Sequence, residues 1–426
     1  MNNDWTKRGS LWLAGATLLG APATAATDPT EGEALAESAA PAPLTLPQQL
    51  DGVKEAILGG TFWLEGRYRF ESVDDSGFAR EGHASTLRTR LGYETGSFNG
   101  FSGVLEFNDV SAIPGGADDY NDGSGGTNRA VVLDPTGTVV NQSYLRYNDF
   151  LNGDFKLGRQ RISLDNERFV GSHDWRQTEN TFDSLTYSAM YPSGISVHYA
   201  FVDNWNTVLA GENEAQDTHL LNVGLSIENI GTLSGYGYRM DMGDDTQDRL
   251  TYGARFAGAH NAGDFGIVYS AELAQQTDIE DNPNDIRELY SHVALGFEIS
   301  GVTAKLGYES LGGRDGAGAN RAFQTPLASL HEFNGFADQF LVTPGNGLID
   351  TYFQLGYESG AFGIAGTYHD FDPEAGSGRY GGEFDFMATY AMTDELTFGA
   401  KYADFGSDSA LFSDVTKFWL WMAYSI

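Results

Sequence analysis

The sequence predicts an all-β fold: a transmembrane antiparallel β-barrel of about 18 strands with short periplasmic turns and long extracellular loops. Three observations predict it. Residues 61–71, TFWLEGRYRFE, alternate with period two. Phe62, Leu64, Gly66, Tyr68 and Phe70 form an apolar face, and Trp63, Glu65, Arg67, Arg69 and Glu71 a polar one. Such a strand has lipid or core on one side and water on the other. After residue 60 no apolar run is long enough for a transmembrane helix, so a secreted chain that spans a membrane must close into a barrel, where every backbone group is satisfied. Alternating segments then follow in succession, joined by short turns and long loops in turn.

Composition agrees. Gly, Tyr and Phe are abundant (54, 21 and 27 residues), without the long aliphatic runs of a large soluble core. The absence of cysteine excludes disulfides and Cys-ligated metal sites. A formal net charge of −34 makes nucleic acid an unsuitable partner, because phosphate binding needs basic stripes. Much of the acid falls in loops, including residues 118–122 and 278–281. These form a solvated surface that could bind divalent cations weakly beside lipopolysaccharide. The first run is no calcium loop: its third and twelfth positions are Tyr120 and Arg129, where oxygen ligands are needed. No cofactor is expected.

Lys7 and Arg8 precede an apolar run from Leu11 to Leu19 and then small residues to Ala26, the three parts of a secretory signal. Residues 1–26 are therefore read as a signal peptide. Residues 27–58 are read as a periplasmic linker rich in Ala, Pro, Thr and Glu. At its end Leu50, Val53, Ile57 and Leu58 fall at helical spacing, which fits a short helix acting as plug or cap. The barrel occupies 59–426. Its first strand ends near Ser72, and a loop runs to His83. The second, Ala84 to Thr95, sets Leu87, Leu91 and Tyr93 against Arg88, Arg90 and Glu94. The third, from Gly100 to Asp109, precedes a long loop to about Val140. Strands near 141–148 and 154–162 flank a turn, and a long loop reaches Asn180. Strands then fall at 181–191, 194–203, 217–229, 232–242, 249–259, 263–277, 286–299 and 301–312. A long loop, 313–346, precedes 347–359, 360–370, 379–391, 394–404 and 414–426. The last alternates Phe418, Leu420, Met422, Tyr424 and Ile426 and closes on the first. Tyr93, Tyr308, Tyr357 and Tyr390 stand near strand ends, where an aromatic girdle is expected.

Three stretches carry a family resemblance: Leu87–Tyr93 (LRTRLGY); Gly158–Ile162 (GRQRI) with Asp165–Gly171 (DNERFVG) and Trp175–Gln177 (WRQ); and, in the late loop, Thr325–Ala328, Phe333–Asp338 and Thr343–Pro344 with Gly347–Leu348. The chain resembles the alginate-export outer-membrane barrels. The resemblance implies an 18-stranded monomer in the outer membrane of a Gram-negative bacterium, with an electropositive constriction that passes an anionic polysaccharide.

By parity Arg67, Arg69, Arg88, Arg90, Arg146 and Lys156 face the lumen, joined on later strands by Arg239 and Arg255; these are the candidate pore-lining, anion-binding residues. A loop centred near residue 78 sets Arg67 opposite Arg90 and Arg69 opposite Arg88. Like charges directly across a strand pair are destabilising, so the cluster calls for a reason. One reading is a basic ladder that attracts carboxylates. The other is a neutralised network, since Glu65, Glu71, Glu94 and Glu106 share the face, with Glu106 near Arg88 or Arg90. Arg159 and Arg161 break parity and are placed at the rim or after a bulge. In 313–346, Leu327, Leu330, Phe333, Phe336 and Phe340 recur every three or four residues, which suggests a short helix and makes this loop the candidate constriction. No nucleophile elbow, zinc-protease motif or phosphate loop is present. His173 beside Asp174 is the nearest thing to a catalytic pair and has no matching nucleophile, so no enzyme is expected. The expected partners are membrane lipid, lipopolysaccharide and an anionic saccharide such as an alginate-like polyuronate. A general porin for small solutes and a non-conducting adhesion barrel are the alternatives.

Overall fold

Period-two alternation puts every second side chain on the far side of the sheet, so a closed sheet of such strands is apolar outside and polar inside. The computed structural model, which describes residues 46–113, 119–125, 128–172, 174–314 and 319–426, has this form. A helix, α1 (Leu46–Leu58), precedes eighteen strands: β1 (Thr61–Asp75), β2 (Gly82–Glu94), β3 (Phe101–Ala112), β4 (Gly137–Phe150), β5 (Gly153–Gln160), β6 (Thr181–Met190), β7 (Ile195–Asn206), β8 (Glu212–Ile227), β9 (Gly231–Met240), β10 (Arg249–Ala262), β11 (Phe265–Asp278), β12 (Arg287–Ile299), β13 (Val302–Leu311), β14 (Leu348–Ser359), β15 (Phe362–Asp372), β16 (Gly381–Ala391), β17 (Leu396–Ser407) and β18 (Val415–Ser425).

Each strand pairs antiparallel with its neighbour, and β1 pairs with both β2 and β18. The seam is in register from Glu65↔Ser425 to Asp75↔Val415. It is sealed by a reciprocal backbone pair at 3.0 Å between Leu64 and Ile426. The barrel thus closes at its first and last strands without an open edge.

Side-chain exposure follows the alternation. Leu91, Leu105, Leu145, Leu157, Leu306 and Leu420 are exposed on the outside, whereas Arg88, Arg90, Glu106, Glu309 and Trp419 are buried within. Tyr308, Tyr357 and Tyr390 are exposed near strand ends, and Tyr93 packs its ring on Phe62 at 4.3 Å.

Several boundaries differ from expectation. β1 continues to Asp75 and β2 begins at Gly82, because Asp75 closes a tight turn by accepting from the Gly77 and Phe78 amides. Arg67 therefore lies opposite Arg88, and Arg90 opposite Glu65; the expected pairs were two residues out of step. Glu106 lies across from Gly92, which leaves room for the Trp63 indole over that glycine (a Cβ there would meet the ring at 2.0 Å). Helix α1 has no buried residue and packs on the β2–β3 turn at the rim, rather than plugging the lumen. The signal segment 1–26, the linker to residue 45, Asp118 and His173 lie outside the described residues.

Candidate solute pathway

The short turns leave one end of the lumen lined by strands alone. The other half is filled mainly by two long loops, 161–180 and 312–347, with the described end of a third, 128–134, packed behind the first through buried Asp134, which takes Arg69 and the Gln177 amide. The first resembles a wedge. Phe169 packs against Tyr290, Tyr236 and Phe323 at 5.1, 5.4 and 5.8 Å, and Arg168 pairs with Glu309 at 2.7 Å with both side chains at most 5% exposed. The second loop joins it through Gly171 N–H to Leu327 O (2.8 Å) and Ser329 N–H to Glu167 O (3.0 Å). It then reaches the opposite wall, where Asp385 on β16 accepts from the Phe336 amide at 3.1 Å and Glu383 from the Ala337 amide at 2.7 Å. The 312–347 loop thus folds inward as a constriction. The expected short helix is reduced to one 3-10 turn, Leu330–Glu332. Its aromatic residues point different ways instead of forming one face: Phe333 lies under the Arg168 guanidinium, Phe336 against Lys401, and Phe340 on Phe371.

Beside the wedge, Arg67, Arg88 and Arg90 come together as expected. Arg67 donates to Gln177 Oε1 (3.0 Å), the Asp174 carbonyl (2.9 Å) and the Arg176 carbonyl (2.5 Å). Arg88 and Arg90 both reach Asp174 Oδ1, at 3.4 and 3.3 Å. Arg90 also meets Glu179 at 3.0 Å, and Arg88 meets Glu65 at 3.4 Å. Arg161 completes the group on Glu106 (2.7 Å) and Glu179 (2.5 Å). Like-charged Arg67 and Arg88 can therefore face each other because the loop carries acceptors in between them.

Asp174 differs from the other acids in this cluster. Its side chain is 71% exposed to the lumen while its partners Arg88 and Arg90 are 7% and 3% exposed. Enclosure by the barrel would raise its pKa, but Arg90, Arg88 and Arg67 overcome this and hold it down at about 2. It is a carboxylate seated on an arginine cluster with its outer side in water.

The remaining expected residues go elsewhere. Arg69 is buried in a separate layer, bound to Asp134 and the Trp175 carbonyl, so it lines no open passage. Arg146 and Lys156 are cross-strand partners near the short-turn rim; Arg146 pairs with Asp154 at 2.5 Å, and Lys156 sits over the Tyr144 ring. Arg239 is at the long-loop rim on Glu280, and Arg255 is on the far wall with Glu272 at 3.6 Å. Arg159 lies at the rim on Asp183, as expected, whereas Arg161 turns inward. Glu106 is held by Trp63, Asn141 and Arg161; of the two arginines expected near it, Arg90 is the one whose charge acts on it.

Sequence reasoning missed a second knot. Asp338 receives Arg176 (2.7 Å), Lys417 (2.8 Å) and His331 (2.7 Å). Burial opposes its charge, yet Lys417, His331 and Arg176 keep it far below the usual carboxylate range. Arg176 also binds Glu71, which ties both inward loops to β1 and β18. Below the knot, Glu332 is exposed to the lumen; enclosure and then the nearby Glu167 push its pKa up to about 7, against the pull of Lys401. On the short-turn side opens a cavity of about 160 Å³ lined by Lys305, His292, Tyr352, Gln354 and His369 beneath Asn334–Phe336. The signals that could have found these loop residues were the DNERFVG–WRQ stretch and, in the late loop, Phe333–Asp338, which carry arginine, acid and aromatic residues outside any strand.

A family model described as alginate export matches residues 60–278. No curated protein sequence matches the chain. Solved structures share the fold. The crystal structure of OccK9 (OpdG) from Pseudomonas aeruginosa superposes with a TM-score of 0.67 at 12% identity, over 87% of this chain and 99% of that one. OccAB3 from Acinetobacter baumannii gives 0.68 at 11%, over 87% and 100%. Pseudomonas aeruginosa OpdK solved with vanillate gives 0.65 at 13%, over 87% and 99%.

Proposed function

The chain belongs to the alginate-export family, and from that premise we propose that it is a passive, porin-like channel of the Gram-negative outer membrane for small anionic sugars: uronates and short oligouronates. One observation carries this reading: Arg88 and Arg90 converge on a single water-exposed carboxylate, that of Asp174, whose main-chain carbonyl takes Arg67. A solute carboxylate approaching the cluster would find the same donors, because guanidiniums bind carboxylates in this geometry. The two inward loops favour monomers and short oligomers over a bulky polymer, since buried loop residues such as Phe169, Phe323, Leu327 and Phe340 occupy the long-loop half of the lumen. OpdK, which shares the fold, was solved with a small aromatic acid, vanillate.

The charge pairing favours a second reading, a general porin whose ion pairs only organise the wall. Arg146, Arg239 and Arg255 all sit on carboxylates, and charge-paired walls suit wide barrels too. Planar-bilayer recordings separate the two. The first reading expects an anion-selective reversal potential across a KCl gradient and block of the current by galacturonate oligomers but not by neutral oligosaccharides of equal length. Cation selectivity would refute it. Equal block by charged and neutral sugars would favour the general porin.

A further inference from the structure

Helix α1 plays no part in the pathway, and its surface divides into three arcs. Gly52 and Ala56 face the protein: Phe98 lies against Gly52, and the Ala56 carbonyl accepts from the Gly96 amide at 2.8 Å. Asp51, Lys54 and Glu55 form a charged arc. Between these arcs runs a stripe at i, i+4, i+7 and i+11, one face of a helix: Leu46, Leu50, Val53 and Ile57, at 68, 61, 40 and 53% exposure, with Leu58 at 74% beside its end. A helix capping the barrel would turn its apolar stripe onto the protein. Here the small residues do that, and the large ones are left outside.

The position of the helix says what covers them. Its C-terminal end is fastened to the lipid-facing girdle: Tyr93 donates its hydroxyl to the Ile57 carbonyl and accepts from the Gly60 amide, and its ring lies on outward-facing Phe62. Phe62 and Phe101 are 70% and 54% exposed at the same rim, next to Tyr147. Aromatic residues of a barrel gather at the depth where headgroups meet acyl chains, so the stripe is continuous with surface that already faces lipid. We propose that α1 is an interfacial helix, with Leu46, Leu50, Val53 and Ile57 embedded among the acyl chains of the leaflet at the short-turn rim and Asp51, Lys54 and Glu55 turned to water.

The chain has no cysteine, so single nitroxide labels are clean reporters. The full chain carrying Leu50→Cys, Ile57→Cys, Asp51→Cys or Glu55→Cys is reconstituted into phospholipid bilayers, with Leu105→Cys as the lipid-facing reference. Relaxation by oxygen, which concentrates in lipid, is compared with relaxation by a water-soluble nickel chelate. The proposal expects the oxygen-to-nickel ratio at 50 and 57 to approach that at 105 and to exceed that at 51 and 55 severalfold. Equal nickel access at all four helix sites would overturn it, as would shielding of 50 and 57 from both reagents, which would mean that a protein partner or a second copy covers the stripe.

Discussion

Replacing Asp174 with Asn removes one negative charge from the passage and leaves the shape nearly unchanged. The loop should stay in place: exposed ion pairs contribute only about 0.2–1 kcal/mol, and Arg67 still holds Gln177 and two loop carbonyls. The electrostatic consequence can be worked out. For a monovalent solute passing about 7 Å away in water, one charge is worth about 0.6 kcal/mol, which screening at about 0.1 M salt halves to about 0.3 kcal/mol. Anions then gain about 1.7-fold and cations lose as much, so the permeability ratio moves about threefold towards anions. Because Asp174 stays ionised down to about pH 2, the shift should be constant across neutral and mildly acidic conditions. The assay is the reversal potential across a KCl gradient for D174N beside the unaltered protein. An unchanged potential, or a move towards cations, would refute the placement of this carboxylate in the ion path.

Three further outcomes follow from the same geometry. Arg168→Met strands Glu309 in a site where both partners are at most 5% exposed; breaking such a buried pair costs about 3–5 kcal/mol, and thermal unfolding in detergent should fall clearly, which an unchanged midpoint would contradict. Glu332, with its pKa at about 7, is mostly protonated below neutrality and gains its charge as pH rises, so anion selectivity should decline from pH 6 to 8; Glu332→Gln should flatten that profile, and a mutant that keeps the slope would exclude Glu332 as its source. Gly335 has φ +87°, and a Cβ there would lie 2.4 Å from the Glu383 carboxylate, so Gly335→Ala should push the constriction loop off β16 and raise single-channel conductance; wild-type conductance would show that the loop does not set the limit.

Strand count, seam and inward parity were legible because they depend on local alternation. A strand cannot bury Arg88 and Arg90 and also expose Thr89 and Leu91 in any other way. Register was less legible. The β1–β2 pairing turned on whether Asp75 ended the strand or began a loop, a two-residue question decided by side-chain capping of one turn. The filling of the lumen was legible only in part: the apolar recurrence in 313–346 marked that loop as the constriction, but neither its path across the lumen nor the 161–180 wedge. The recurrence of Leu327, Leu330, Phe333, Phe336 and Phe340 resembles helix spacing, yet these residues serve different walls. An irregular loop inside a barrel satisfies its backbone on strand side chains such as Asp385 and Glu383, and so needs no helix of its own.

That difference decides how the arginines should be understood. Taken as strand residues alone, the three guanidiniums of Arg67, Arg88 and Arg90 have one strand carboxylate between them, Glu65, which reaches Arg88 and Arg90, and the patch keeps a net positive charge. With the 161–180 loop in place, the relief is built in: Glu179 and Asp174 meet the guanidiniums from the lumen side. The two acids are not equivalent. Glu179 is 1% exposed and Asp174 71%, so the first acts as a fixed structural counter-ion and the second as one that water, and hence a solute, can reach. A neutral wall would need both acids buried; a bare basic ladder would need neither. The chain has one of each: Glu179 holds the cluster from within, and Asp174 keeps its outer side in water.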